Sequence, residues 1–239
     1  MMSVIELLRL TIAIYRKNFG LYFGYAAWLL IPTAVVAFLT TTLERDQELI
    51  ALVGQIVLVI LSIWVWIILT LVTAKIIHRD KLNMAELSQS AWQLMLPVIL
   101  VSLIVGIIEV VGFILLIIPG VIFMVWYAFA ALEVILHGKR GMAALKESRE
   151  LSRGKFWRVL WRLLAGPAIL TLVYAIFSLV LISSVEYLTS GTITLFEASP
   201  SLAAQLLSSI TDTFVLPLFV IYPILLYVDL HEPKQEDKK

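Results

Sequence analysis

The stretch Leu94–Leu136, LMLPVILVSLIVGIIEVVGFILLIIPGVIFMVWYAFAALEVIL, decides the fold. Its 43 residues carry two charges, Glu109 and Glu133. As one helix it would run about 65 Å, roughly twice the ~30 Å hydrocarbon layer of a bilayer. It must therefore fold back on itself. Pro119-Gly120 stands where the reversal is needed. Proline lacks the amide proton and glycine accepts positive φ, so the pair predicts a tight hairpin turn with almost no loop.

Four further apolar stretches lie outside this hairpin: Phe19–Thr40, Leu49 to Ile77, Val159–Ile182 and Leu206–Leu230. Each has the ~20 residues that a crossing requires. The expected fold is all-α, a polytopic membrane helical bundle of about six transmembrane helices in three hairpins. Composition agrees: 61% of the 239 residues are hydrophobic and 15% charged. Soluble domains hold about 45–50% and about 25%. Arg9, Arg16 and Lys17 precede the first stretch, which is longer than the ~7–15 residues of a signal-peptide core. It is read as a retained span. The chain has no cysteine, which excludes disulfides, zinc–thiolate sites, iron–sulfur clusters and thiol catalysis. A net charge of +1 gives no field for nucleic acid.

Charge placement orients the bundle. Arg45 alone lies between the first two spans, and no Lys or Arg lies in the Pro119-Gly120 turn or between spans five and six. Eight lie around the connection between spans four and five, from Lys139 to Arg162. Alternate connections then hold 17 basic residues on one side and 1 on the other. The positive-inside rule places both termini in the cytoplasm, hence a multi-pass protein of the cytoplasmic (inner) membrane. A re-entrant hairpin at spans three and four would keep the same parity.

Two segments read as amphipathic interfacial helices on the cytoplasmic side. Ser3–Lys17 sets Glu6, Arg9 and Arg16 against Val4, Ile5, Leu8 and Ile12. Met142–Arg153 carries a narrow stripe of Ala144, Leu145, Ser148 and Leu151, with Arg149 and Arg153 among its charges and Gly154 as a stop. They are anchors on the simpler reading, and binding sites for anionic lipid headgroups or a partner protein on the other. Met84-Ala-Glu-Leu-Ser-Gln-Ser90 matches Met142-Ala-Ala-Leu-Lys-Glu-Ser148 at four of seven positions. A single membrane domain, 1–232, could thus be a triple repeat of amphipathic helix plus hairpin (3–80, 84–138, 141–231), followed by a charged tail, 233–239. Chance matching of common residues is the competing account.

The run Leu115-Leu-Ile-Ile-Pro-Gly120, an aromatic-rich span, Gly138 to Gly141, Ala143-Ala-Leu-Lys-Glu-Ser148 and Gly154-Lys-Phe-Trp157 resembles the YciC-like bacterial and archaeal membrane family. That family includes the membrane domain fused to some glycerophosphoryl diester phosphodiesterases. The likeness covers roughly Leu115–Leu160 and implies a six-span bundle. A phosphodiesterase barrel would need about 250 further residues, so the resemblance implies no such activity for these nine residues after Leu230.

Charged and polar groups inside the spans are the first place to seek chemistry. Glu109, in Gly106-Ile-Ile-Glu-Val-Val-Gly112, has no basic residue in the central part of any span to pair with. It is either held neutral or faces a wet cavity, as a proton- or cation-binding carboxylate would. Glu133, one turn from the end of span four, is expected to snorkel and pair with Lys139 or Arg140. Gln55 is expected to hydrogen-bond between helices. Glu186 and Asp212 are read as interfacial. His78, His137 and His231 each end an even-numbered span. Three imidazoles at one depth could bind a metal, but interfacial placement explains them as well. Pro32, Pro97, Pro119, Pro167, Pro217 and Pro223 predict kinked or broken helices. No phosphate-binding glycine loop, His-Glu-x-x-His or nucleophile elbow occurs. The expectation is a non-enzymatic membrane protein, needing no cofactor, that moves or senses a small molecule, ion or lipid. The alternative is a scaffold or accessory subunit, whether a homo-oligomer or bound to a membrane partner through its cytoplasmic helices.

Overall fold

The computed structural model describes residues 1–42, 47–190 and 202–231. Arg45, the side chain of Glu186 and the 233–239 tail lie outside the described residues. The described chain forms ten α-helices in the order α1 (Val4–Lys17), α2 (Phe19–Ala26), α3 (Leu30–Thr42), α4 (Gln47–His78), α5 (Met84–Leu115), α6 (Ile117–Tyr127), α7 (Ala130–His137), α8 (Met142–Ser152), α9 (Phe156–Ser190) and α10 (Leu202–His231). A single 3₁₀ turn, Ala27–Leu29, joins α2 to α3. Six segments are long and apolar enough to cross a bilayer: Phe19–Thr40, Glu48–His78, Met84–Leu115, Ile117–His137, Phe156–Val185 and Leu206–His231. The protein is an all-α polytopic membrane bundle.

Helix α1 starts on a reciprocal cap. The Ser3 amide donates to Glu6 Oε2 at 2.6 Å, and the Glu6 amide donates to Ser3 Oγ at 3.3 Å. The Ser3 amide, then its hydroxyl, holds the Glu6 carboxyl below the usual glutamate range. One face of α1 is used for packing, with Leu7 and Thr11 buried. The segment at 84–90 does not form a separate short helix but is continuous with span three through Leu115.

The hairpin turn falls earlier than Pro119-Gly120. Helix α5 ends at Leu115, Leu116 is extended (φ −169°, ψ 153°), and α6 begins at Ile117. Pro119 is the third residue of α6, where a missing amide removes no intrahelical bond. Gly120 is not among the positive-φ glycines. It serves close approach instead: a Cβ there would lie 2.4 Å from the Phe113 ring, and one at Gly112 only 3.1 Å from Gly120 Cα. The tip, Ile114–Ile118, is exposed and wholly apolar.

Among the described residues, two of the three helix interruptions lie just ahead of a proline, Ala27–Leu29 before Pro32 and Leu116 before Pro119, where the ring displaces the carbonyl four residues back; the other prolines there interrupt no helix. Pro97 and Pro167 lie within α5 and α9, and Pro217 and Pro223 within α10. The breaks fall at Ala27–Leu29, at Leu116 and at Ala128–Phe129. The third break is stabilised from α8. Ser148 Oγ donates to the Trp126 carbonyl (2.8 Å) and accepts from the Phe129 amide (3.1 Å). Ser152 Oγ donates to the Val125 carbonyl (2.9 Å). These backbone groups have left the helical ladder and sit away from water, so the two serines, four residues apart on one face of α8, replace the missing bonds.

The chain packs as two compact units. Unit 1 comprises Met1–Ala13, Trp66–Pro167 and Val220–Lys239, and unit 2 comprises Ile14–Val65 and Ala168–Phe219. Unit 1 is the densely filled one. Of the largest fully buried side chains, Leu7, Ile67, Ile68, Phe129, Leu145, Ile224 and Tyr227 are typical and belong to it, whereas Tyr22 belongs to unit 2. Unit 2 is held by aromatic stacking, with Phe23 and Phe214 at 4.7 Å and Phe19 and Phe214 at 5.9 Å.

Candidate functional site

Unit 1 contains a buried polar network built on α7, α9 and α10. Tyr227 O–H donates to Glu133 Oε1 at 2.9 Å and lies 2.8 Å from His137 Nδ1. Glu133 Oε2 is 3.4 Å from the same His137 nitrogen. The His137 and His231 rings stack at 5.1 Å. A second cluster centres on Asp229. Its Oδ2 receives Arg162 Nη1 at 2.7 Å and its Oδ1 receives the Met2 amide at 2.9 Å. Both side chains are under a tenth exposed. Tyr222 O–H donates to the Arg162 carbonyl at 2.7 Å. Its ring fits because residue 166 is glycine; a Cβ there would lie 1.9 Å from the ring. Such pairing stabilises charges that would be costly alone in an apolar setting.

Unit 2 contains a polar cavity of about 230 Å³. Thr33, Gln55, Ser62, Ser209, Asp212 and Thr213 supply its polar lining, with Leu30 and Leu58 among its apolar walls. The Asp212 carboxylate accepts a short hydrogen bond from Tyr174 O–H. Thr33 and Ser62 spend their hydroxyl protons on helix carbonyls of Leu29 and Val59, leaving oxygen lone pairs. The cavity thus presents one carboxylate, one carboxamide and several hydroxyl oxygens, and no Lys or Arg lines it.

These positions revise the expectations. Glu133 does not snorkel: it is 2% exposed and bound to Tyr227 and His137, while Lys139 pairs with Glu147 at 3.8 Å. Burial wins because the carboxylate finds donors inside. Glu109 is half-buried on α5, has no hydrogen-bond or ion-pair partner among the described residues, and does not line the polar cavity. Gln55 lines that cavity together with Asp212, which was read as merely interfacial. His137 and His231 come together, but no three-ligand metal group exists among the described residues, so the His78, His137, His231 set does not form. Leu145 and Ser148 are buried in the fold. Arg149 lies over the Trp126 ring at 4.0 Å, and Arg153 is exposed beside Glu150 at 3.3 Å. Sequence reasoning missed Tyr227, Asp229 and Arg162. The available signal was an arginine within the apolar run of α9 and an acid near the end of α10, each unlike its neighbours.

Six apolar spans enclosing paired charges and a polar cavity define a multi-pass α-helical membrane protein. The chain belongs to the family described as the membrane domain of glycerophosphoryl diester phosphodiesterase, whose model matches residues 110–239, just over half of its length. The match reaches well beyond the Leu115–Leu160 region in which the resemblance was legible. No curated protein and no solved structure matches the chain.

Proposed function

We propose that this chain is a non-enzymatic protein of the cytoplasmic membrane that binds and moves, or senses, a small molecule through the polar cavity of unit 2. The observation that carries this reading is the clustering of Gln55, Asp212, Thr33 and Ser62 around about 230 Å³ of space in unit 2. Polar groups at membrane depth are costly and mark ligand pathways when they line a cavity. Both termini face the cytoplasm, a placement supported by the 17-to-1 split of basic residues between alternate connections. The scaffold reading draws less support, because Leu145, Ser148 and Ser152 of α8 are committed to the fold rather than free for a partner.

The chain has no cysteine, so single cysteines report cleanly. In sealed vesicles of known orientation, Lys139→Cys should react with a membrane-impermeant maleimide from the cytoplasmic side only. Ser62→Cys should react with a small membrane-impermeant methanethiosulfonate, and Asp212→Asn should alter its rate. A Ser62→Cys protein inert from both faces would falsify the binding-cavity reading.

A further inference from the structure

The polar cavity does not stand by itself. Thr33, Leu58 and Ser209 line both it and a second cavity of about 310 Å³. Val36 lines both that second cavity and an apolar groove of about 340 Å³. The groove is walled by Val35, Leu39, Ile50, Val53 and Val57, and has essentially no polar surface. All three spaces belong to unit 2 and follow α3, from Leu30 through Thr33 and Val36 to Leu39. At Gly54 the two walls of the groove meet: a Cβ there would lie 2.2 Å from Val36 Cγ2. A polar chamber, an intermediate one and an apolar groove thus adjoin one another, with shared side chains at their borders.

Charge decides what the polar end selects. Its one ionisable lining residue is Asp212. The sequence has no Lys or Arg between Arg162 and Lys234, and only Arg45 between Lys17 and Lys75. An anionic headgroup entering the chamber would meet a carboxylate and no countercharge. An ammonium would meet a carboxylate plus the oxygens of Gln55, Thr33 and Ser62.

We propose that unit 2 binds a cationic amphiphile, with its ammonium head at Asp212 and its alkyl chain passing Val36 into the groove between α3 and α4. This rests on the reading of the polar cavity as the binding site, and names the ligand class for it. An amphiphile fits better than a small cation because the apolar groove continues the chamber. A fully apolar molecule would leave the Asp212 carboxylate desolvated with no countercharge, only the Tyr174 hydroxyl.

The test uses the full chain in nanodiscs with a photoreactive dodecylammonium probe, cross-linking being mapped by peptide mass spectrometry. Labelling should saturate, map to residues 30–58, and be displaced by dodecyltrimethylammonium but not by tetramethylammonium. Asp212→Asn should weaken it about tenfold, as expected for loss of a hydrogen-bonded charge partner. Val57→Phe, on the open wall of the groove, should reduce it with the thermal unfolding midpoint unchanged. Where Asp212→Asn fails to fold, the competition series decides. Equally tight, saturable labelling by a dodecyl carboxylate probe overturns the cationic class but leaves the cavity as a site. Displacement by tetramethylammonium as effective as by the long-chain cation overturns the groove. A Ser62→Cys protein that reacts with thiol reagent yet shows no saturable labelling overturns this inference alone. Failure of both experiments overturns the binding reading as well.

Discussion

Removing the Ser148 hydroxyl tests how the break in span four is held. Within a regular helix the Trp126 carbonyl and the Phe129 amide would be satisfied four residues along the chain. Here the chain turns at Ala128–Phe129, and Ser148 Oγ serves both groups, at 2.8 and 3.1 Å. Ser148 and Phe129 are wholly buried, so water cannot replace the hydroxyl. Each buried backbone group left without a partner costs about 1–3 kcal/mol. Interhelical hydrogen bonds within bilayers average only about 0.6 kcal/mol, because the unfolded reference state also finds partners. The larger scale should prevail for Ser148→Ala, since the carbonyl and amide are fixed at a helix break and cannot pair with each other. We expect a loss of about 2 kcal/mol, or roughly 4–8 °C in Tm for a chain of this size. Thermal unfolding in detergent, followed by tryptophan fluorescence, reads the change. Glu147→Ala, on the exposed side of the same helix, serves as control and should move less than about 0.5 kcal/mol. If Ser148→Ala unfolds within about 1 °C of wild type, the serine does not support the break and the account is wrong.

Other consequences are equally concrete. Tyr227→Phe removes the hydroxyl between Glu133 and His137 and should cost about 1–3 kcal/mol in denaturant unfolding, whereas Lys139→Ala should be nearly silent. Gly166→Ala places a Cβ 1.9 Å from the Tyr222 ring and should cost about 1–3 kcal/mol; adding Tyr222→Leu should recover part of that loss, and an unsuppressed defect would contradict the packing argument. The Ser3–Glu6 cap predicts a pH dependence. Its carboxyl lies below the usual value of 4.5 when folded, so its contribution to α1 is present above that pH and lost as pH falls through the lowered value. Protection of the first-turn amides should fall in acid for wild type and stay flat with pH for Glu6→Ala.

The spans were legible because lipid imposes one strong rule, that some twenty apolar residues must run together. Leu94–Leu136 was too long to be one span and had to fold back, and its reversal was placed within three residues. The residual error has a physical cause. Pro-Gly marks a turn in water, where Gly supplies positive φ, but at this hairpin Gly120 lets α6 approach Phe113 and Gly112, and Leu116 alone takes the extended conformation. Ser148 was readable only as part of an apolar stripe, since no local pattern says that a serine will meet a broken helix 22 residues away.

At the polar residues, sequence context and folded surroundings diverge. Glu109 stood out because the sequence around it is apolar, yet isolation in sequence is not a cavity in space. Asp212 was discounted because it lies near a span end, the place where water is normally at hand. Folding gave Asp212 its neighbours from other helices, Gln55 on α4, Thr33 on α3 and Tyr174 on α9. The same holds for Arg162, counted among loop charges but buried against Asp229 from α10, 67 residues away. A tally of charges by connection treats each as a solvated marker of topology. A buried pair contributes to packing instead, so the proposed orientation rests on the other basic residues, among them Lys139, Arg140 and Arg153 around α8, which are exposed.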